Sequence, residues 1–478
     1  MPINLHKSMS WMNADADETK MLDALQGNIL KGHGRQVTTN IFFRIDPTKK
    51  TAMRAAIRKI ATERVMSAHQ QLLEAKRLSD GGAPGGVFVS FYLSKTGYEA
   101  LGVQPSAIPQ DHSFRAGMKS ANLGDKDVVH WDEAFRGQID GMVLVGVPDA
   151  NTPIAPFRKQ IVDLLTQAGG TILKVQNGKA LFEDGNGIEH FGYVDGRSQP
   201  LVLLEDLVSE ENDGGIATWN PGAPLDVALV ADPAANDRYS FGSYFIFRKL
   251  EQNVRGFKTR EQELADALGL DGTYRELAGA LVVGRFENGT PVTKSDVVIG
   301  AKPPNDFDYS DDPGLRCPYQ AHIRKSNPRG SGGAEALSAE RKHLMMRRGI
   351  PYEDVPRAMA PKDLPDVTTF AKFREIVAPL LPEGGVGLLF MAYNRDISAQ
   401  FEFTQKLWVN NNAFPEAGVP PLLDPIIGQP VGQEAEQLWP RKWNDAGGGV
   451  TPFSFADFVT MRGGEYFFAP SLTFLKSL

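Results

Sequence analysis

The chain has 478 residues, 42% hydrophobic and 23% charged, ordinary proportions for a globular protein with a large buried core in roughly two to four domains. A net charge of −7 offers no footprint for nucleic acid, and the single cysteine, Cys317, excludes an internal disulfide framework and any cysteine-rich metal site. No apolar run reaches the roughly 18 residues of a membrane span. Met1–Lys7 lacks both a following apolar core and a twin arginine, so a cytoplasmic protein is expected.

Residues 1–20 are polar and mixed, and read as a loosely held arm. The glycine-punctuated run Leu25-Gln26-Gly27-Asn28-Ile29-Leu30-Lys31-Gly32-His33-Gly34-Arg35 leads into a strand at 39–45. A helical stretch follows at about 47–78, a strand at 87–93, a short helix near 96–101 and an irregular region to about 140. A strand at 141–147, a helix at 154–168 and a strand at 171–175 complete the order strand-helix-strand, strand-helix-strand of a split βαβ, ferredoxin-like sheet. That order begins again with a strand at 242–250 and a helical region at 258–285. A long loop over 286–340 comes next, then a strand at 385–393, a helix at 396–408 and a last strand at 465–468. The expected fold is therefore α+β, with two ferredoxin-like domains of antiparallel sheet and peripheral helices, at 21–205 and 206–478.

None of the eight histidines sits in an H-E-x-x-H or C-x-x-C companion pattern, and neither a G-x-S-x-G elbow nor a Walker loop is present. Zinc hydrolysis, acyl transfer and P-loop phosphoryl transfer lack their usual equipment. Three stretches remain. Gly192-Tyr193-Val194-Asp195-Gly196 holds a carboxylate between glycines, which taken alone is a turn whose Asp bonds its own backbone. Cys317-Pro318-Tyr319-Gln320-Ala321-His322-Ile323-Arg324-Lys325-Ser326-Asn327-Pro328-Arg329 places one histidine beside three cations, suited to a metal ion and to the carboxylates of a cofactor, although taken alone it is a core histidine bonded to backbone beside a solvated basic run. Met345-Met346-Arg347-Arg348-Gly349-Ile350-Pro351-Tyr352 ends an apparent helix with an arginine pair, whose plain reading is charge complementing the helix dipole.

In order, these three stretches resemble the motifs of the dye-decolorizing peroxidases, a haem-containing family. The runs at 25–35, 387–405 and 462–472 are similar to further family segments, so the likeness covers about 22–475. The resemblance implies Asp195 as distal acid–base residue, Arg347 as distal arginine and His322 as proximal iron ligand. It also implies Arg324 as a propionate partner and Asp396 as the carboxylate bonded to the axial imidazole. One haem b per chain is implied, held mainly by the C-terminal domain, with hydrogen peroxide and bulky aromatic donors such as anthraquinone dyes and phenols as substrates. Where one subgroup has Asn two positions after the distal arginine, this chain has Gly349. Activity peaking in the acid range, while Asp195 is still ionised, is expected. Large donors call for electron transfer to a surface Tyr or Trp, with Trp408, Tyr393 and Tyr352 as candidates. A homodimer is expected from symmetry statistics alone. A haem carrier or sensor, or an iron-releasing enzyme, would use the same pocket.

Overall fold

The structure is a computed structural model that describes residues 3–300, 303–365, 367–419, 421–429 and 436–478. Eight strands set the frame. In the N-terminal half these are β1 (Val37–Ile45), β2 (Phe88–Leu93), β3 (Gly141–Val147) and β4 (Gly170–Lys179). In the C-terminal half they are β5 (Phe241–Gln252), β6 (Ile350–Glu353), β7 (Val386–Asn394) and β8 (Val459–Ala469). β2 and β3 are buried along their whole length, as expected of near-continuous Val, Leu, Phe and Met.

The first half runs β2-β3-β1-β4 and the second β6-β7-β5-β8, all antiparallel, so both have the ferredoxin-like order 2-3-1-4. The expected repetition of element order is thus a repetition of topology. The two sheets are not separate, however. Phe468 of β8 pairs with Leu93 of β2, which joins the halves into one ladder. Buried Gln26 fastens the same seam: its Nε2 donates to Phe91 O and Pro470 O, both at 2.8 Å, and its Oε1 accepts from Phe91 N at 2.8 Å. Across the join, Phe42 packs on Phe247 at 4.8 Å and on Phe467 at 6.3 Å, so one hydrophobic core serves both halves. The outer strands of the path also meet. Gln176 of β4 donates to Asp354, just beyond β6, at 2.9 Å. Gly178 has no room for a side chain, since a Cβ there would lie 2.7 Å from Ile350 Cγ2.

The helical stretch expected at 47–78 is two helices, α1 (Lys50–Glu63) and α2 (Ala68–Ser79), because Ser67 caps the second by accepting from Gln70 N. The region expected as helix at 258–285 likewise contains α3 (Val254–Leu268) and α4 (Glu276–Val283), parted at Gly269 and Gly272, both with positive φ. β6 and the hairpin of Gln437–Pro440 with Val450–Phe453 escape the sequence reading because Pro351, Pro440 and Pro452 interrupt them. The N-terminal segment is not loose. Met9 N donates to Val202 O, Leu225 N to Lys7 O and Asp226 N to Leu5 O.

Candidate active site

A cavity of about 590 Å³ lies between the β5–β7 region, the loop at 187–200 and the segment 322–329. Asp195, His322 and Arg347, from three distant stretches of chain, all line it. Apolar side chains such as Leu388, Phe390, Phe401 and Val459 make up much of its wall.

Asp195 is carried by a turn in which each neighbouring N–H is tied down. Val194 N donates to Glu287 O and Asp195 N to Gly187 O, both at 3.0 Å. Gly192 and Gly196 have φ of 101° and 73°, left-handed angles that explain the bracketing glycines. The plain turn reading is half correct: Asp195 Oδ1 accepts from Gly196 N at 2.6 Å. Oδ2 lies 3.6 Å from where a Cβ on Gly349 would stand, so the missing side chain at 349 leaves space directly against the carboxylate.

Arg347 stands in a two-residue strand, Met346–Arg347, paired with β7, and not at the end of a helix. Its backbone N donates to Gln199 Oε1 at 3.0 Å, and its Nη2 donates to Ser198 O at 3.0 Å. The arginine is thereby fixed to the same loop as Asp195. Arg348, which also lines the cavity, donates to the carbonyls of Asn28, Ile29 and Arg347, which explains the glycine-punctuated run at 25–35 as a docking segment.

His322 opens the short helix His322–Ser326. Its Nδ1 meets Asp424 Oδ2 at 2.8 Å. Asp424 is fully buried; burial alone would raise its carboxyl, but the adjacent His322 and the N–H groups of Ile427 and Ile426 hold it below the usual carboxylate range. An ionised Asp424 fixes the tautomer with hydrogen on Nδ1, which leaves the Nε2 lone pair as the ligand atom available to the cavity.

Two expectations are corrected here. The imidazole's carboxylate is Asp424, not Asp396: Asp396 Oδ1 accepts from Ala399 N at 2.8 Å and caps the helical segment Ser398–Val409. Arg324 does not reach the cavity. It is buried between the rings of Tyr309 and Tyr319 and donates to Cys317 O, Asp312 O and Asp312 Oδ2. From the same run, Arg329 does line the cavity, beside Arg285. Burial, with Arg329 close by, brings Arg285 down to about 9, and burial brings Arg329 down to about 10. Arg329 has φ of 51°, a left-handed strain in a non-glycine residue of the kind that clusters at ligand clamps. The three aromatic candidates for a surface radical are all interior: Trp408 is 2% exposed, Tyr393 0% and Tyr352 1%. None is itself a surface site.

The donor set fits a haem: one imidazole with a buried carboxylate partner, apolar walls, and two buried guanidinium groups for the propionates. Among the described residues no group of three or more His, Cys, Asp or Glu could hold a metal ion without such a group. Nor is any described helix long and apolar enough to cross a membrane.

Comparison with known proteins agrees with this geometry. The profile of the DyP dimeric alpha+beta barrel domain matches residues 24–180. The multifunctional dye peroxidase DyP2 of Amycolatopsis sp. is 46% identical over 494 aligned residues, covering all of both chains, and its solved structure superposes with a TM-score of 0.91. A DyP-type peroxidase from Anabaena sp. superposes at 0.88 with 37% identity, over 99% of this chain and 98% of its own. A dye-decolorizing peroxidase solved with 2,6-dimethoxyphenol superposes at 0.73 with 27% identity, over 95% of this chain and 98% of its own. Nearly half identical to one of its relatives from end to end, this chain belongs to the dye-decolorizing peroxidases, a family of haem-dependent enzymes.

Proposed function

We propose that the protein reduces hydrogen peroxide at the expense of bulky aromatic donors, such as anthraquinone dyes and phenols. The observation that carries this reading is the convergence of Asp195, Arg347 and the His322–Asp424 pair on one cavity. The relative solved with 2,6-dimethoxyphenol supports phenols as donors. The finer readings are haem b as the group, one per chain, a cytoplasmic location and a homodimer. The division into an arm at 1–20 and domains at 21–205 and 206–478 goes with them; the match of the family profile to 24–180 supports its second part.

In this reading His322 Nε2 would bind the iron, and Arg329 with Arg285 would neutralise the propionates. When bound, haem would supply the redox chemistry between peroxide and donor. Asp424 holds the Nδ1 proton and makes His322 a stronger donor. Asp195 takes the proton from one peroxide oxygen and delivers it to the other as the O–O bond breaks. Arg347, anchored by Ser198 and Gln199, stabilises the negative charge on the departing oxygen. Overall one hydrogen peroxide takes up two electrons and two protons and leaves as two waters, and two donor molecules each lose one electron.

The test is the haem-loaded enzyme with peroxide and an anthraquinone dye, compared with Asp195→Asn. The reading expects a Soret band, dye turnover and a loss of at least 100-fold in the peroxide reaction of the variant (on the order of general acid–base catalysis). An unchanged peroxide reaction in Asp195→Asn would overturn the assignment of Asp195.

A further inference from the structure

The turn that presents Asp195 is closed by a second carboxylate. Glu189 Oε1 accepts from Tyr193 N at 3.0 Å, and Oε2 accepts from Phe191 N at 2.9 Å and from Gln252 Nε2 at 2.5 Å. Its main chain closes the same loop, with Glu189 N donating to Tyr193 O and Gly192 N to Glu189 O, both at 3.0 Å. The other anchors of the turn are backbone carbonyls, those of Glu287 and Gly187. Glu189 is thus the side chain among them, and through Gln252 it ties the turn to the end of central strand β5.

From this geometry we infer that Glu189 is the positioning residue for the distal acid–base group: its carboxylate clamps residues 191–193 and so fixes where Asp195 stands in the cavity. The inference rests on the reading of Asp195 given above.

The chemistry of the clamp is specific to a carboxylate. Three N–H donors converge on two oxygens, so both must accept. A glutamine of the same shape offers one acceptor oxygen, and its NH₂ would face an N–H. Burial, with a smaller contribution from nearby Asp195, raises the Glu189 carboxyl to about 7 against the lowering effect of its three donors. The charged groups around it are Asp195 on its own turn and Arg357 from the loop after β6. Lys258 and Glu261 sit beside Tyr193. With its donors in place Glu189 is therefore ionised only above about 7, and protonation below that value turns one acceptor oxygen into a donor, which couples the turn's geometry to a titratable group.

The experiment compares wild type, Glu189→Gln, Gln252→Leu and Asp195→Asn as haem-loaded proteins, with two readouts. One is the rate and pH profile of the single-turnover reaction with peroxide, per haem. The other is amide hydrogen exchange across 187–197. The clamp expects Glu189→Gln to lose at least tenfold in the peroxide rate, with a displaced pH midpoint and unchanged haem content. Exchange should rise in 187–197 and not elsewhere. Gln252→Leu should lose less, in the same direction. A peroxide rate and pH profile equal to wild type in both variants, with Asp195→Asn slow, would overturn the clamp while leaving Asp195 in its role. Exchange that rises throughout the protein would also overturn it, by making Glu189 a general stabiliser. A normal rate in Asp195→Asn would instead remove the reading on which the inference rests.

Discussion

At the residue scale, the two corrected assignments show how a side chain's role depends on where its partners come from. Asp424 precedes a proline, which reads as a turn, and it does make one by accepting from Ile426 N and Ile427 N. Its second oxygen, 102 positions along the chain from His322, is the part no local pattern displays. Replacing it with Asn should unsettle the His322 tautomer. The expected results are a raised haem reduction potential by spectroelectrochemistry and a stability loss of about 1–3 kcal/mol in urea. Arg324 makes the opposite case. Arg324→Ala removes the guanidinium beside buried Asp312, which keeps its four backbone N–H donors, and leaves the carbonyls of Cys317 and Asp312 without this partner, so it should cost about 1–3 kcal/mol. The Soret absorbance per folded molecule should stay at the wild-type value, because Arg324 lies away from the cavity; a selective loss of haem at unchanged stability would count against this. His190, 1% exposed, donates from Nε2 to Tyr352 O while its Nδ1 accepts from Arg357. Burial, aided by Arg357, lowers it to about 3. Its folded form therefore stays neutral while the unfolded form gains a proton below the ordinary value of 6.5, so its contribution is lost as pH falls from 6.5 towards 3. Glu189 next to it is raised to about 7 and works in the opposite sense, adding stability as pH falls through that value towards 4.5. The pair offset each other in wild type. His190→Gln should accordingly gain about 2 kcal/mol relative to wild type between pH 7 and pH 5, read from urea midpoints at the two values.

At the scale of elements, the strands that bury both faces were the legible ones. Residues 141–147 and 385–393 are continuous apolar runs and are strands within a residue or so of their expected ends. β6 was not legible, since Ile350-Pro351-Tyr352-Glu353 is short and carries a proline at a position where β7 is its sheet partner. The long helical stretch at 47–78 also misled, because Ala, Lys, Arg and Glu favour helix on both sides of Ser67 and only the capping serine marks the break. The close approach of β4 and β6 gives a direct test. Gly178→Val would drive a branched side chain into Ile350 Cγ2 and Thr38 Oγ1, each 2.7 Å from the added Cβ. It should destabilise by about 1–3 kcal/mol in a denaturant titration. A neutral result would mean that the two strands can part without cost.

For the whole molecule, the recurrence of one topology was readable from element order, but the union of the two halves was not. That union rests on Phe468 opposite Leu93, on the shared aromatic packing around Phe42, and on Gln26, which lies in a run whose sequence advertises only turns. Gln26→Leu should leave Phe91 N and the carbonyls of Phe91 and Pro470 without this partner, at a cost of about 1–3 kcal/mol. Unfolding followed by near-UV and far-UV signals should then separate into two transitions where wild type shows one. The meeting of β4 with β6 has a further consequence for the chain outside its native state. A row of strands laid flat would end in two unpaired borders, each a template for another copy. Here the borders face one another, so the native main sheet has little to offer to self-association. The hazard is confined to the interval before they meet, and refolding yield should fall with protein concentration even though the finished protein tolerates the same concentration.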